Sequence, residues 1–349
     1  MHRLSFARLS LALLASGVLT TIQPASAQNL FVGGNGYVEQ FTHDGMDLGV
    51  FYKDPIGNRM GHTKGLTFDS SGNLLVISDA KYGIVKLSPT GAYLGSLGAG
   101  PNAGYDSLAT DAFGNVFAAN TFLHTVDKFS ASGAVLGTFA SLSPGNLRAS
   151  GLAFDKSGNL YVSDSQYGTG SSYFSNTIRK YAPDGTSLGV FATPDSGEQA
   201  QGLAFNKDGT LFAGLFSARG FNGQLEKFSP TGTDLGRFQT NFGIYDPIQF
   251  AFDASNNLFV DDNGGILEYD PSGNVVGQGP GKSNIYMGLG SAGSGFAFAP
   301  SAPSPVPETA TTVSLGLLLA LGLGGLVVSR RRRSAPKAGP AQCVSVTRL

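Results

Sequence analysis

A unit of 42 to 51 residues repeats along the chain and limits its fold more than any other feature. Successive units begin at residues 65, 107, 151, 202, 249 and 295. The clearest unit opens with GLAFDKSGNLYVSD and, after an insert, ends with TIRKYAPDGTSLGVF. Repetition at this period is typical of architectures that place one supersecondary unit beside the next many times. The repeat therefore predicts a fold assembled from several copies of one unit.

Each unit contains four short stretches of alternating apolar residues, the pattern of β-strands, which we label a to d. A D-x-x-G-N turn separates a from b, as at Asp155, Gly158 and Asn159, and an x-P-x-G turn at Pro183 and Gly185 separates c from d. Asp accepts backbone hydrogen bonds in such turns and Gly adopts positive φ angles. The 50 glycines and the 13% of charged residues also disfavour helices. Four antiparallel strands per unit predict an all-β protein made of β-propeller blades.

The two ends of the repeat region complete each other. Residues 29–51 align with strands b, c and d, and residues 295–299 align with strand a alone. Together they make one blade beside five complete ones, so we predict a six-bladed propeller over residues 28–299. A last blade shared by the two ends would close the ring and leave no open inner edge.

These motifs resemble NHL repeats, whose pattern runs G-L-A-F-D-x-x-G-N-L-Y-V-x-D, then I-x-x-F and D-x-x-G. Residues 151–155, 158–162, Asp164, Ile178 and 184–185 match it. The resemblance implies the propeller fold but no particular activity, because propellers host many functions.

The first 27 residues resemble a secretory signal peptide. Arg3 and Arg8 give a positive start before an apolar run over residues 9–19, and Ala25 and Ala27 form an A-x-A cleavage site. The alternative is an uncleaved membrane anchor. Cleavage would begin the mature chain at Gln28, outside the cytoplasm.

The other end of the chain predicts a membrane helix. Residues 310–329 contain no charge and span about 30 Å as a helix, one bilayer core. An arginine block follows at once, which keeps the tail 330–349 on the cytoplasmic side: Arg330, Arg331, Arg332 and Arg333.

A linker rich in Pro and Ser, residues 300–309, precedes this span and carries Val306, Pro307 and Glu308. Over residues 304–333 the chain resembles the PEP-CTERM sorting tail of exported bacterial proteins, although Thr309 replaces the second proline of the V-P-E-P motif. The resemblance implies an exosortase-type protease as a partner. A plain C-terminal anchor is the alternative.

The near-neutral total charge conceals an acidic domain. The signal contains 2 of the 23 basic residues and the chain beyond residue 308 contains 6. Residues 28–308 therefore contain 15 Lys and Arg and 24 Asp and Glu, a net charge of −9. Such a domain is repelled by nucleic acid. The only cysteine, Cys343, lies in the tail, so the propeller contains no disulfide.

Family propeller enzymes carry their chemistry on the face of the d–a and b–c loops, which we call the mouth face. A lactonase-like metal site needs converging oxygen ligands just before strand a. That column here reads Lys64, Asp106, Ser150, Gln201, Ile248 and Ser294. A zinc lyase needs several histidines, but only His62 and His124 are expected on this face. A Ser-His-Asp set from Ser150, His62 and Asp106 has no nucleophile motif to support it. An enzyme is therefore the less favoured interpretation.

A softer candidate is a polar ring at the channel mouth, formed where strand b ends and strand a begins. It consists of Asp79, Asn120, Asp164, Asp262, Asp106 and Gln201. Such a ring offers oxygen ligands to Ca²⁺ or another divalent ion, or partners to sugar hydroxyls. We favour the simpler interpretation that the strand-b residues hydrogen-bond their own turns, and we expect no cofactor.

Two b–c inserts add aromatic residues to the same face: Tyr167, Tyr173, Phe174, Phe216 and Phe221. They suit carbohydrate or peptide binding and equally suit packing against a neighbouring blade. The sequence thus favours an exported, surface-sorted binding module for polysaccharide, peptide or another surface protein. A propeller hydrolase or lyase is the alternative.

Overall fold

The computed structural model describes residues 28–57, 60–79, 83–98, 104–142, 147–166, 175–194, 198–217, 223–238, 249–261, 265–276 and 295–300. The regular structure of these residues consists of 23 β-strands in six sheets, without a helix. No helix there has the length and hydropathy needed to cross a bilayer. The predicted signal, span and arginine tail lie outside the described residues, as does the linker beyond Pro300.

Each sheet is one blade. The shared blade contains β1 (Leu30–Gly33), β2 (Tyr37–Phe41), β3 (Asp47–Lys53) and β23 (Phe296–Phe298). Blade 1 contains β4 (Thr63–Phe68), β5 (Leu74–Ser78), β6 (Ile84–Leu87) and β7 (Tyr93–Leu97). Blade 2 contains β8 (Tyr105–Thr110), β9 (Val116–Asn120), β10 (Thr125–Phe129) and β11 (Val135–Ser141).

The later units follow the same order. Blade 3 contains β12 (Leu147–Phe154), β13 (Leu160–Gln166), β14 (Ser175–Tyr181) and β15 (Ser187–Ala192). Blade 4 contains β16 (Glu198–Phe205), β17 (Leu211–Ser217), β18 (Gln224–Phe228) and β19 (Asp234–Arg237). Blade 5 contains β20 (Phe250–Phe252), β21 (Leu258–Asp261) and β22 (Ile266–Tyr269), and Val275 bridges Tyr269 where its fourth strand is expected. The predicted six-bladed all-β propeller is confirmed.

The two ends of the repeat region meet in the shared blade as predicted. β23 pairs antiparallel with β1, with Leu30 opposite Phe298 and Val32 opposite Phe296. The Gly33 N–H donates to the Gly295 carbonyl at 2.9 Å, which extends the pairing by one residue. β23 also contacts β4 and β20, the inner strands of the blades on either side. The inner strands therefore form a closed ring.

The D-x-x-G-N turns are held by their own side chains. Asp69 Oδ1 accepts the N–H groups of Ser71 and Asn73, both at 2.9 Å, and Asn73 Nδ2 donates to Asp69 Oδ2 at 2.8 Å. Gly72 adopts a φ of 75°, which favours glycine. The turns at Asp111 and Asp155 repeat this pattern. Turn chemistry thus accounts for these acidic residues without a metal ion.

Aromatic side chains pack the seams between blades. The aromatic residue of strand b meets a Phe from strand d and the Phe of the next blade's strand a. Phe117, for example, lies 4.9 Å from both Phe139 and Phe154 in edge-to-face geometry. Tyr161 does the same with Phe191 and Phe205, at 4.8 and 4.9 Å. The regularly spaced aromatics of the repeat therefore join the blades to one another.

Acid should weaken the blades through the turn aspartates. Burial raises the pKa of Asp69, but the hydrogen bonds from Asn73 and the ion pair with Lys86 at 2.9 Å outweigh it, so this pKa lies below its usual value. A carboxyl whose pKa is lowered by folding stabilises the protein above its unfolded-state pKa of about 3.9, and this stabilisation is lost as the pH falls through the folded-state value. Asp69→Asn should therefore be less stable than the wild type at pH 7, and this difference in the free energy of unfolding should narrow below pH of about 4.

Urea unfolding of both proteins across this pH range measures the difference. Asp208→Asn, at an exposed turn position of blade 4, is the control, and a difference independent of pH would contradict the prediction.

Candidate functional site

The inner strands surround a central cavity of about 580 Å³. The leucines of the G-L motif contribute apolar surface to its wall, as Leu66 and Leu152 do. Five blades contribute polar residues to its lining, among them Lys64, Asp106, Ser150, Gln201 and Gln249. The cavity thus has a polar mouth and a partly apolar wall.

The glycine that opens most units is required by the close approach of neighbouring inner strands. A Cβ atom on Gly151 would lie 2.4 Å from the Gln201 carbonyl oxygen. A Cβ atom on Gly295 would lie 2.8 Å from Gly65 Cα. These separations are too short for any side chain, so the glycines allow the backbones to pack tightly around the channel.

Contacts between blades fix the polar residues at the mouth. Lys64 Nζ of blade 1 lies 2.9 Å from Asp106 Oδ1 of blade 2, and both side chains remain partly exposed. Gln249 stands where most other units have glycine, and its side-chain amide nitrogen, Nε2, donates to the Lys64 carbonyl. Its side chain therefore reaches from blade 5 to blade 1 across the closing strand.

A second ionisable pair lies on the same face. His62 Nδ1 is 3.3 Å from Asp79 Oδ2, and the two side chains are 57% and 42% exposed. His62 thus lies beside Asp79, while Asp106 pairs with Lys64. The Ser-His-Asp combination considered from the sequence is not brought together in this arrangement.

The other strand-b residues of the predicted ring make contacts within their own blades. Asn120 is buried, and its Oδ1 accepts the N–H groups of Phe122 and Leu123 at 3.2 and 3.0 Å. Asp164 is fully buried, forms an ion pair with Arg179 and accepts the Thr177 N–H at 3.0 Å. Asp262 lies outside the described residues. Of the three strand-b residues described, Asp79 alone exposes its polar group substantially.

A buried hydrogen-bonded group lies behind the mouth in blade 2. The Tyr105 hydroxyl donates to Asp127 Oδ2 at 3.1 Å, and Asn120 Nδ2 donates to the same oxygen at 3.2 Å. Burial raises the pKa of Tyr105, and the negative charge of Asp127 raises it further. Tyr105 therefore stays a neutral donor that fixes Asp127, and it is poorly suited to act as a general base.

The described mouth residues do not converge as a set of metal ligands. Within the described ranges, one group of three His, Asp or Glu side chains has the spacing to hold an ion, and it lies on the opposite face. Ile248 and Ser294, of the predicted column, are outside these ranges. The mouth offers amides, a hydroxyl and two paired charges, which suit hydrogen bonding to a polar ligand.

Exposed apolar side chains lie on the same face as the polar mouth. Phe122 and Leu123, in the b–c loop of blade 2, are 62% and 66% exposed. Of the predicted aromatics, Phe216 lies in β17 opposite Gln199. The others lie outside the described residues: Tyr167, Tyr173, Phe174 and Phe221. An aromatic ring beside hydrogen-bonding groups is the combination that carbohydrate and peptide ligands use.

Comparisons with known proteins agree with this architecture. No family model and no curated protein matches the chain. Among solved structures, a chain from the nidogen/laminin complex is 18% identical, with a TM-score of 0.59 over 79% of this chain and 100% of its own length. A protein of unknown function from Bacteroides caccae is 17% identical, with a TM-score of 0.56 over 78% and 99%. A gluconolactonase from Xanthomonas campestris is 16% identical, with a TM-score of 0.54 over 68% and 80%.

These similarities define the class of protein by its fold. The chain is a six-bladed β-propeller, and its structural neighbours include a gluconolactonase. At such low identity the likeness extends to the fold alone, and the neighbours include both a protein from a binding complex and an enzyme.

Sequence reasoning missed several residues of the mouth face. Gln249 lies one residue beyond the predicted column, at a position where glycine was expected. Only its contact with blade 1 shows that its side chain belongs to the channel mouth. Phe122 and Leu123 belong to a b–c loop without an insert, so the length of this loop did not mark it as a binding loop. The available sequence clue was an apolar pair in a loop between two strands that end in polar residues.

Proposed function

We propose that this protein is exported and binds a ligand outside the cytoplasm with the mouth face of its propeller. The ligand is a polysaccharide, peptide or surface protein. The observation that carries the proposal is the exposed pair Phe122 and Leu123 on the same face as the polar channel mouth. Exposed aromatic and leucine side chains next to hydrogen-bonding groups supply apolar contact area and orientation together.

The charges at the mouth support binding over metal-dependent hydrolysis. Asp106 is paired with Lys64, and Asp79 lies beside His62. Among the residues that the structure describes, neither carboxylate is grouped with a second one, as a hard divalent cation requires. A lactonase-like hydrolase or a lyase is the competing function, and lactone hydrolysis by the purified protein would support it instead.

The remaining parts of the proposal come from the termini. Residues 1–27 direct export, and 300–333 act as a PEP-CTERM-like sorting segment that an exosortase-type protease recognises. The chain is held through residues 310–329 until it is processed, with residues 330–349 inside. The partner is extracellular polysaccharide or a surface protein, and the acidic propeller does not bind nucleic acid.

Binding should depend on one face of blade 2. Phe122→Ala is expected to weaken retention on the producing cell's own polysaccharide by roughly five- to thirty-fold, the loss typical of a contributing apolar anchor. Tyr173→Ala and Phe221→Ala should act in the same direction. Phe113→Ala is the matched control, because Phe113 is 83% exposed in the a–b turn of the same blade, on the opposite face. Equal binding by the Phe122 and Phe113 variants would refute a ligand site at the mouth.

A further inference from the structure

Three potential metal ligands from two blades converge far from the mouth. His43 lies in the c–d turn of the shared blade, Asp253 begins the a–b turn of blade 5, and Glu268 lies in β22. One ligand atom from each falls within 4.8 Å of the others. The His43 Nε2 to Asp253 Oδ2 distance is 3.0 Å. The group lies at the seam where the first and last parts of the propeller meet.

Blade 5 differs from the other complete blades at this point. The residue that aligns with Glu268 in strand c is a lysine in each of them: Lys86, Lys128, Lys180 and Lys227. In blade 1 that lysine neutralises the turn aspartate, with Lys86 Nζ 2.9 Å from Asp69 Oδ2. Blade 3 has the same pair, Lys180 and Asp155, at 3.6 Å. Blade 5 replaces the cation with a second carboxylate.

The two carboxylates are buried together. The Asp253 side chain is 3% exposed and Glu268 is 6% exposed. Burial raises the pKa of Glu268, and the charge of Asp253 raises it further, while His43 and the Asn257 hydrogen bond act against these effects. Two buried carboxyl groups lie beside one imidazole, and a divalent cation bound between them would stabilise the ionised form of both.

The ligand side chains are already oriented. Asn257 Nδ2 donates to Glu268 Oε1 at 2.8 Å, and the Asn257 N–H donates to Asp253 Oδ1 at 2.7 Å. The His43 ring packs against Phe259 at 5.5 Å and against Phe298 of β23 at 6.1 Å. Its side chain is 25% exposed, which gives an ion a path from solvent. Such supporting contacts fix the direction of metal ligands.

We propose that His43, Asp253 and Glu268 bind a divalent transition-metal ion that ties the shared blade to blade 5. One imidazole nitrogen and two carboxylate oxygens match Zn²⁺, with water at the remaining position. Calcium would need six to eight oxygen ligands, more than these side chains supply. This site is separate from the proposed ligand face.

The test uses the full chain, purified in detergent and stripped with a chelator. Titration with ZnCl₂ should show one zinc site per chain that contains His43, Asp253 and Glu268. The thermal unfolding midpoint should rise with zinc, because an ion that binds only the folded state stabilises it. Glu268→Lys should abolish both responses yet fold normally, since lysine occupies this position in the other complete blades. His43→Asn should also lose them.

His62→Asn is the matched control, because His62 is an exposed histidine beside a carboxylate on the opposite face. This variant should keep the full zinc response. Zinc binding that is equal in the wild type and in Glu268→Lys would overturn the proposal, as would a midpoint that ZnCl₂ leaves unchanged in the wild type. A response to CaCl₂ without one to ZnCl₂ would also overturn it.

Discussion

Deleting residues 295–299 is expected to unfold the propeller. The deletion removes β23, and with it the inner strand of the shared blade and the buried side chain of Phe296, which is 5% exposed. Truncating one buried Phe costs about 3–5 kcal/mol, and a whole domain is stable by only about 5–15 kcal/mol. The loss of a strand that contacts three neighbouring strands should exceed that margin. Circular dichroism of residues 28–308 with and without the deletion should show the cooperative thermal transition lost.

Two point variants make this experiment quantitative. Phe296→Ala should lower the free energy of unfolding by about 3–5 kcal/mol. Phe113→Ala replaces a Phe that is 83% exposed, and it should change the free energy by less than about 0.5 kcal/mol. An unchanged unfolding midpoint in the deletion variant would mean that β23 does not close the ring in solution.

Replacing Pro307 and Glu308 with alanine is expected to abolish processing of the C-terminal tail. The change removes the part that resembles a recognition motif and leaves the apolar span 310–329 and the arginines untouched. If a sorting protease acts here, the processed form should disappear and the full-length chain should accumulate in the membrane. Mass spectrometry of the surface-associated protein identifies its C-terminus in both strains.

The matched control neutralises the arginine block. Replacing residues 330–333 removes the charge that fixes membrane orientation but keeps Pro307 and Glu308. If residues 310–329 are a plain anchor, replacing Pro307 and Glu308 should have no effect on processing, and the intact chain should remain in the membrane. Recovery of a chain that ends at Leu349 from the unmutated strain would therefore exclude the sorting interpretation.

The fold could be predicted from the sequence because its information is local and repeated. The turn at Asp155 is specified by residues within one hairpin, and each repetition of it strengthens the prediction. Even the shared blade was predictable, since 29–51 and 295–299 are complementary fragments of one repeat. The length of each repeat and the alternation of apolar and polar residues within it were enough to predict the propeller.

The site was less predictable because its contacts join different repeats. The pairing of Lys64 with Asp106 and the reach of Gln249 depend on how one inner strand lies beside the next. The grouping of His43 with Glu268 joins residues far apart in the chain. Alignment of the repeats does show that Glu268 stands where lysine is usual, but only the ring geometry brings His43 beside it.

Ring closure also sets the order in which a newly made chain can fold. Leu30 emerges among the first residues of the propeller, yet its partner Phe298 is among the last. Blades 1 to 4 contain only neighbouring strands and can pair as they appear, whereas β1 presents an unpaired edge throughout synthesis. A chain interrupted before β23 therefore lacks a closed ring and leaves this edge open to other strands. Only a chain that carries both ends of the propeller can therefore close the ring, so an incomplete chain does not reach the closed fold.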